Sequence, residues 1–169
     1  GNLSNDHHTT RYTYDSLNRL TEAVYDTTRY TYAYDRAGNR IEKTIGDTIE
    51  KYTCNTRNQL TQIQRDNGIT SFFYDNQGNL TKEETPDGTN TFRYDAMNRQ
   101  VQATTKEGNT LTCRYDAEGL RAEIKENEKL TKFIYHNGSI RIELDSSNNP
   151  TTRYTRGNGL VSQTLWNQI

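Results

Sequence analysis

Cysteine and histidine are the residue types in this sequence that most often bind metals or form covalent links. The chain contains two cysteines, Cys54 and Cys113, and three histidines, His7, His8 and His136. Two thiols that lie close together form a disulfide, and thiols with imidazoles form zinc sites. His7 and His8 are adjacent near the start of the sequence, whereas His136 lies more than a hundred residues away. We therefore predict no metal site and no bound cofactor.

Acidic residues are the other candidates for chemistry. The sequence has 22 Asp and Glu residues, and many of the aspartates lie close to Asn and Gly, as in calcium-binding loops. Their spacing matches neither the six-ligand calcium loop nor the glycine-rich nonapeptide of calcium-binding solenoids. The sequence also lacks Gly-x-Ser-x-Gly, His-Glu-x-x-His and phosphate-binding glycine loops. We predict no catalytic residues and a protein that is not an enzyme.

Composition indicates a folded chain with a thin core. Only 30% of the 169 residues are hydrophobic, but the net charge is -1 and the chain holds 12 Tyr, 4 Phe and one Trp. Disordered chains combine low hydrophobicity with high net charge and few aromatics. A sheet with one apolar face and one solvated face needs less hydrophobic sequence than a two-sided core.

Charge and hydropathy also exclude two classes of partner. Lys and Arg (21) balance Asp and Glu (22), so we predict no nucleic-acid binding. No stretch reaches the roughly 18 apolar residues of a membrane span, so we expect no membrane insertion. The first residues show no signal-peptide pattern.

The elements that position these side chains are set by a short repeated phrase: tyrosine, aspartate, two variable residues, then Gly or Asn. Regular copies comprise Tyr14, Asp15 and Asn18; Tyr34, Asp35 and Gly38; Tyr74, Asp75 and Gly78; Tyr94, Asp95 and Asn98; and Tyr115, Asp116 and Gly119. Degenerate copies comprise Cys54, Asn55 and Asn58; Tyr135, His136 and Gly138; and Tyr154, Thr155 and Gly157. The steps between copies are 20 or 21 residues with a final 19. Such a period is the signature of a repeat array.

Each repeat is predicted to be a β-hairpin. Residues 70–75 are rich in aromatic and β-favouring types, residues 75–79 form a turn, and residues 80–84 form a second strand. The Asp75 carboxylate should accept a backbone N–H two residues on, which closes an Asx-turn. Gly78 should take a left-handed conformation in a type I turn with a G1 bulge, a conformation that Gly and Asn adopt at least cost.

Alternation along the strands predicts two different faces. On one face the aromatic residues should form columns: Tyr12, Tyr14, Tyr32, Tyr34, Phe72, Tyr74, Phe92, Tyr94, Phe133 and Tyr135, with Leu20, Ile41, Leu60 and Leu80 beside them. The other face should carry Arg11, Thr13, Arg93, Arg114 and Lys132. Copies that depart from the phrase, at Cys54, His136 and Gln100, are expected to pair less regularly.

Both cysteines should lie on the aromatic face, about six strands apart. At roughly 4.8 Å per strand this separation is about 29 Å, whereas a disulfide needs Cα atoms within about 7 Å. We predict that Cys54 and Cys113 act as two small buried hydrophobic residues.

Interleaved Tyr and Arg, as at residues 29–32, leave two interpretations open. Aromatic faces flanked by polar groups bind sugars or stack bases, and tyrosines in register also pack across strands. Cross-strand packing is the favoured interpretation, and a carbohydrate-binding surface is the alternative.

Residues 14–21 and 74–81 resemble the YD repeats, also called RHS repeats, of large secreted and cell-surface proteins. The resemblance covers essentially the whole chain. In that family the hairpins join into a strip of antiparallel sheet that spirals into a hollow shell. Bacterial polymorphic toxins and insecticidal toxin complexes enclose a C-terminal toxic domain in such a shell, wall-associated proteins carry the repeats, and teneurins use a related shell in cell-surface adhesion.

The resemblance implies an all-β fold: an antiparallel meander of about eight hairpins that forms a twisted, curved strip. We expect a single array over residues 1–169, truncated at both ends, with a partial repeat at 1–10, regular repeats at 11–130 and irregular terminal repeats at 131–169. Gly1-Asn2-Leu3-Ser4 matches the turn and second strand at residues 78–81, which suggests that the array starts within a repeat.

The expected function is that of a non-enzymatic wall segment in an extracellular or cell-surface protein, in a shell that encloses or displays a C-terminal effector. Its expected partners are the remaining repeats and the C-terminal domain of a parent protein, and unpaired sheet edges would promote self-association. The alternative function is cell-surface adhesion or carbohydrate binding through exposed Tyr, Arg and Asn.

Overall fold

The computed structural model describes residues 10–156 and 160–165. Residues 1–9 lie outside this part; they include His7 and His8 and all but the last residue of the predicted partial repeat (1–10). The last repeat glycine, Gly157, also lies outside it. The chain divides into two compact units, Gly1–Asp87 and Gly88–Ile169. A single array over residues 1–169 stays a prediction.

The first unit contains eight strands in its described residues. They are β1 (Thr10–Tyr14), β2 (Leu20–Tyr25), β3 (Thr28–Tyr34), β4 (Arg40–Ile45), β5 (Thr48–Cys54), β6 (Leu60–Arg65), β7 (Gly68–Tyr74) and β8 (Leu80–Thr85). Within this unit, each strand from β1 to β7 pairs antiparallel with the strand that follows it.

The second unit repeats this arrangement. Its described strands are β9 (Gly88–Tyr94), β10 (Gln100–Thr104), β11 (Thr110–Tyr115), β12 (Arg121–Glu126), β13 (Lys129–His136), β14 (Ser139–Leu144), β15 (Pro150–Arg156) and β16 (Leu160–Leu165). Here too, each strand pairs antiparallel with its successor. The predicted fold class, an all-β meander of hairpins, is confirmed.

A β-bulge next to each repeat turn sets the hairpin register. In β7–β8, Phe73 lies opposite Lys82 but Tyr74 lies opposite Leu80, so Thr81 is the extra residue. Its hydroxyl donates a hydrogen bond to the Phe73 carbonyl (3.1 Å). Equivalent bonds join Thr21 to the Thr13 carbonyl and Thr61 to the Thr53 carbonyl. The threonine therefore supplies a donor where the ladder is interrupted.

The expected position of Ile41 is wrong. Tyr34 lies opposite Arg40, so Arg40 takes the place that Leu20, Leu60 and Leu80 take in other hairpins. Ile41 occupies the bulge position and is 41% exposed. Its hydrophobic character suggested a place in the apolar column, but the bulge puts it outside that column.

The divergent copies keep the ladder, contrary to expectation. Cys54 pairs with Leu60, and Gln100 pairs with Tyr94, in the same register as the regular copies. The copy at His136 differs only in its loop. His136 lies opposite Ser139, so two residues make the turn. Both have positive φ (Asn137 50°, Gly138 70°), as in the type I′ turn that suits a two-residue hairpin.

The hydrophobic core is thin, as the composition predicts. Among the described residues, the buried hydrophobic side chains are Ala23, Tyr52 and Ile63 in the first unit and Cys113 in the second. Tyr52 lies opposite Ile63, and Ile63 lies opposite the buried Thr70. This row forms a buried contact across three neighbouring strands of the first unit.

The described residues include no helix that is long and apolar enough to cross a membrane.

Candidate functional site

The repeat turns hold the aspartates in fixed hydrogen-bond networks. Asp75 Oδ1 accepts the backbone N–H groups of Gln77 (3.0 Å) and Asn79 (2.9 Å), and the Asn79 side chain donates to Asp75 Oδ2 (2.9 Å). The Gly78 N–H donates to the Asp75 carbonyl (3.1 Å), which closes the turn. Equivalent Asx bonds are made by Asp15, Asn55, Asp95, Asp116 and Asp145.

The last residue of each phrase lies in the left-handed region. The φ values are 58° for Asn18, 93° for Gly38, 59° for Asn58, 94° for Gly78, 60° for Asn98 and 83° for Gly119. Gly and Asn alternate at this position because they adopt positive φ more readily than other residues.

These networks keep the carboxylates ionised. The Asn79 side chain, followed by backbone N–H groups, holds the pKa of Asp75 below its usual value, and Asn39 does the same for Asp35. For Asp95 the main cause of the lowered pKa is the backbone N–H of Arg99. Carboxylates whose oxygens accept several turn donors serve as structural acceptors in this fold.

In several repeats, the consensus tyrosine ties the hairpin to the one before it. The Tyr34 hydroxyl donates to the Leu20 carbonyl (2.8 Å), at the start of the second strand of the preceding hairpin. The same bond, which we call the tyrosine tether, joins Tyr74 to Leu60 (2.8 Å), Tyr115 to Gln100 (2.9 Å) and Tyr135 to Arg121 (2.9 Å). Alternation along the strands predicted only packing roles for these tyrosines, and the tether is seen only in the structure.

A turn residue of the preceding repeat covers the tethered ring. The Arg19 guanidinium carbon lies 4.8 Å from the centre of the Tyr34 ring, and that of Arg99 lies 4.5 Å from the Tyr115 ring. Both arginines also bind the turn aspartate of their own repeat, at 2.7 Å (Arg19 to Asp15) and 2.8 Å (Arg99 to Asp95). One arginine thus links a turn to the next repeat's tyrosine through a cation–π contact.

Cys54 interrupts this pattern and leaves an open depression, which we call the Cys54 slot. The slot has a volume of about 490 Å³ and is lined by Asn39, Arg40, Cys54 and Leu60 among others. Asn39 and Arg40 correspond in the phrase to Arg19 and Leu20, which contact Tyr34 in the preceding repeat. The slot therefore lies where the regular repeats place a phenol ring.

Basic side chains predominate around the slot. Its lining includes Arg40, Lys43 and Arg65 but only one carboxylate, Glu50. The Arg40 guanidinium lies 4.4 Å from the centre of the Tyr52 ring. Glu50 accepts hydrogen bonds from Tyr52 and from Arg65 Nε (2.7 Å), and lies 3.8 Å from Lys43 Nζ. The Tyr52 hydroxyl first, then Arg65, lowers the pKa of Glu50.

The cysteines are free thiols, one in each unit. Cys113 is buried, as predicted, whereas Cys54 is only half-buried because it borders the slot. Burial first, and the negative charge of Asp35 second, raise the pKa of the Cys54 thiol. A raised pKa keeps a thiol protonated and unreactive at neutral pH.

The remaining metal candidates do not come together in the part of the chain that the structure describes. His136 ends β13 with an exposed side chain. Residues 10–156 and 160–165 contain no group of three His, Cys, Asp or Glu residues placed to hold a metal ion. His7 and His8 lie outside these ranges.

The fold and the tyrosine tethers define a β-hairpin repeat scaffold. The family model described as Teneurin YD-shell matches residues 2–159, and the chain belongs to that family. The resemblance drawn from the sequence is therefore confirmed. None of the curated proteins matches the chain.

Solved structures share the fold at low sequence identity. A crystal structure of TcdB2-TccC3 matches with a TM-score of 0.72 and 16% identity, covering 96% of this chain and 11% of that one. The crystal structure of TcdB2-TccC3-Cdc42 matches with a TM-score of 0.71 and 16% identity, covering 96% of this chain and 10% of that one. The crystal structure of TcdB2-TccC3 without its hypervariable C-terminal region matches with a TM-score of 0.62 and 18% identity, covering 81% of this chain and 9% of that one. The chain thus spans about a tenth of the length of the solved chains that it matches.

Proposed function

We propose that this chain is a non-enzymatic wall segment of a larger secreted or cell-surface protein, in which hairpin repeats build a shell that encloses or displays a C-terminal effector. The observation that carries the proposal is the tyrosine tether. It joins each of several hairpins to the preceding one through the same atoms, as Tyr34 and Tyr74 do. Such nearest-neighbour bonds let a sheet grow by adding identical units.

The disposition of the polar groups supports a structural role. The aspartates of the repeat turns were candidates for calcium binding or catalysis. In the structure they accept hydrogen bonds within the turns, as Asp75 does from Gln77 and Asn79. Membership of a YD-shell family supports the shell. One fold relative is described as lacking a hypervariable C-terminal region, which fits a constant wall with a variable domain behind it. The partners would then be neighbouring repeats and that domain.

Limited proteolysis of the complete gene-encoded polypeptide tests the proposal. A protease should cleave the C-terminal domain only after denaturant has opened the shell. The matched control is the same C-terminal domain expressed without the repeats, which should be cleaved readily. Equal cleavage rates with and without the repeats would refute enclosure.

Carbohydrate binding in adhesion is the second candidate, and exposed aromatic side chains on the first strands favour it. Tyr12 is 47% exposed, Tyr14 56% and Tyr25 46%. Tyrosines at such exposure could stack on sugar rings. A glycan array tests this function: specific binding that is lost on Tyr12→Ala or Tyr14→Ala would favour adhesion, and no binding would count against it.

A further inference from the structure

The Cys54 slot has the surroundings of a tyrosine-binding position without the tyrosine. In the preceding repeat, the Tyr34 ring lies under Arg19 and its hydroxyl reaches the Leu20 carbonyl. Tyr115 has the same two contacts, with Arg99 and the Gln100 carbonyl. Two independent repeats thus show what this position holds when the consensus residue is present.

The third copy keeps this position open. Cys54 pairs with Leu60, so the strand register around the position is that of the regular copies. The residues that correspond to Arg19 and Leu20 are Asn39 and Arg40, and both line the depression of about 490 Å³. The Arg40 carbonyl is the counterpart of the acceptor that receives the tyrosine hydroxyl elsewhere. A phenol ring from another molecule would meet the same kind of acceptor.

The charge of the lining selects the kind of molecule. Arg40, Lys43 and Arg65 provide three positive charges, against one negative charge from Glu50 in the lining and one from Asp35, which acts on Cys54. Because Glu50 pairs with both Arg65 (2.7 Å) and Lys43 (3.8 Å), the excess positive charge centres on Arg40. An anionic group beside the ring would be attracted there.

We propose that the Cys54 slot binds the tyrosine side chain of an acidic peptide segment of a partner protein. The ring fills the position that Tyr34 and Tyr115 fill in their own repeats, and its hydroxyl donates to the Arg40 carbonyl. Acidic residues next to the tyrosine face Arg40. This inference does not depend on whether the repeats enclose an effector.

A titration of the isotopically labelled 169-residue chain, followed by NMR, tests the proposal. The probe is the peptide acetyl-Glu-Tyr-Glu-amide, which should shift the backbone amides of Asn39, Arg40 and Cys54. The matched peptide with Phe in place of Tyr should bind roughly fivefold more weakly, because it lacks the hydroxyl hydrogen bond. The peptide with Ala should cause no shifts at these amides. Equal binding of the Ala and Tyr peptides, or no shifts with the Tyr peptide at millimolar concentration, would overturn the proposal.

Two variants locate the binding. Cys54→Tyr fills the slot with the chain's own ring and should weaken peptide binding at least about tenfold, because the aromatic pocket is no longer open. Met97→Gln changes an exposed side chain in the second unit, which does not line the slot, and should bind as the parent chain does. If Cys54→Tyr does not fold, Arg40→Gln supplies the test: it should remove the preference for the acidic peptide over acetyl-Gln-Tyr-Gln-amide. Undiminished binding by Cys54→Tyr, or an unchanged preference in Arg40→Gln, would place the peptide elsewhere and refute the slot.

Discussion

Replacing Tyr34 by phenylalanine isolates the hydroxyl that tethers one repeat to the next. The ring and its contact with Arg19 remain, and only the hydrogen bond to the Leu20 carbonyl (2.8 Å) is lost. A hydrogen bond of this kind contributes about 1 kcal/mol net, within a range of roughly 0.5–1.5 kcal/mol. With a urea dependence of about 1–3 kcal/mol per molar, the unfolding midpoint should fall by roughly 0.3–1 M.

Tyr32→Phe is the matched control in the same strand, β3. Within the described residues, the Tyr32 hydroxyl has no hydrogen-bond partner, so its removal should change the free energy of unfolding by less than about 0.5 kcal/mol. Urea denaturation followed by circular dichroism measures both variants. Because repeat arrays can unfold in parts, amide exchange in β2 and β3 provides a second, local measurement. If Tyr32→Phe and Tyr34→Phe lower the midpoint equally, the tether does not stabilise the array.

The turns give two further predictions. Gly78→Val should lower the free energy of unfolding by more than about 1 kcal/mol, because a β-branched side chain opposes its φ of 94°. Gly78→Asn should be nearly neutral, since Asn58 holds the equivalent position with a φ of 59°; similar urea midpoints for the two variants would contradict this account of the turn. The pKa values of Asp35 and Asp75 are lowered in the folded chain, so their ionised forms stabilise the fold. This stabilisation should be lost as the pH falls below about 4, where aspartates in the unfolded chain become protonated. Urea midpoints between pH 7 and pH 2 measure the loss, Asp75→Asn should reduce it, and a midpoint independent of pH would count against the turn networks.

The hairpins and their turns could be predicted from the sequence because their chemistry is local. An aspartate that accepts a hydrogen bond two residues on, and a Gly or Asn three residues after it, specify the turn without any distant contact. Asp75 and Gly78 show this geometry. The thin core could be predicted from composition, because a sheet with one apolar face needs few hydrophobic residues.

Features that depend on the bulge were harder to predict. An extra residue in one strand shifts the alternation of faces, so counting by two no longer locates side chains correctly beyond it. Ile41 lies at the bulge position and is exposed, whereas Arg40 takes the column position. Hydrophobic character alone therefore gave the wrong residue.

The residue types at the consensus tyrosine position carry a sequence signal for the tyrosine tether. The position two residues before the consensus tyrosine holds Tyr or Phe in most copies, as in Tyr32 and Phe72, and the exceptions are Cys113 and Thr152. The consensus position holds no Phe, and apart from Cys54 it is always Tyr. A position that accepts Tyr but not Phe indicates a required hydroxyl. Its acceptor lies in the preceding hairpin and could be located only from the structure.

The Cys54 slot could not be predicted from the sequence. A cysteine at an aromatic position is compatible both with a small buried hydrophobic residue and with an open slot. Whether neighbouring side chains close over the missing ring depends on packing. Here Arg40 stacks on Tyr52 and leaves the position open.

Electron cryo-microscopy of the complete gene-encoded polypeptide tests the central proposal, that this chain is a wall segment of a shell, most directly. We predict density in which β1–β16 continue, strand by strand, into neighbouring repeats of one shell wall, with the C-terminal domain attached to or enclosed by that wall. A map in which these hairpins form a separate module, unpaired with any other repeat, would contradict the proposal.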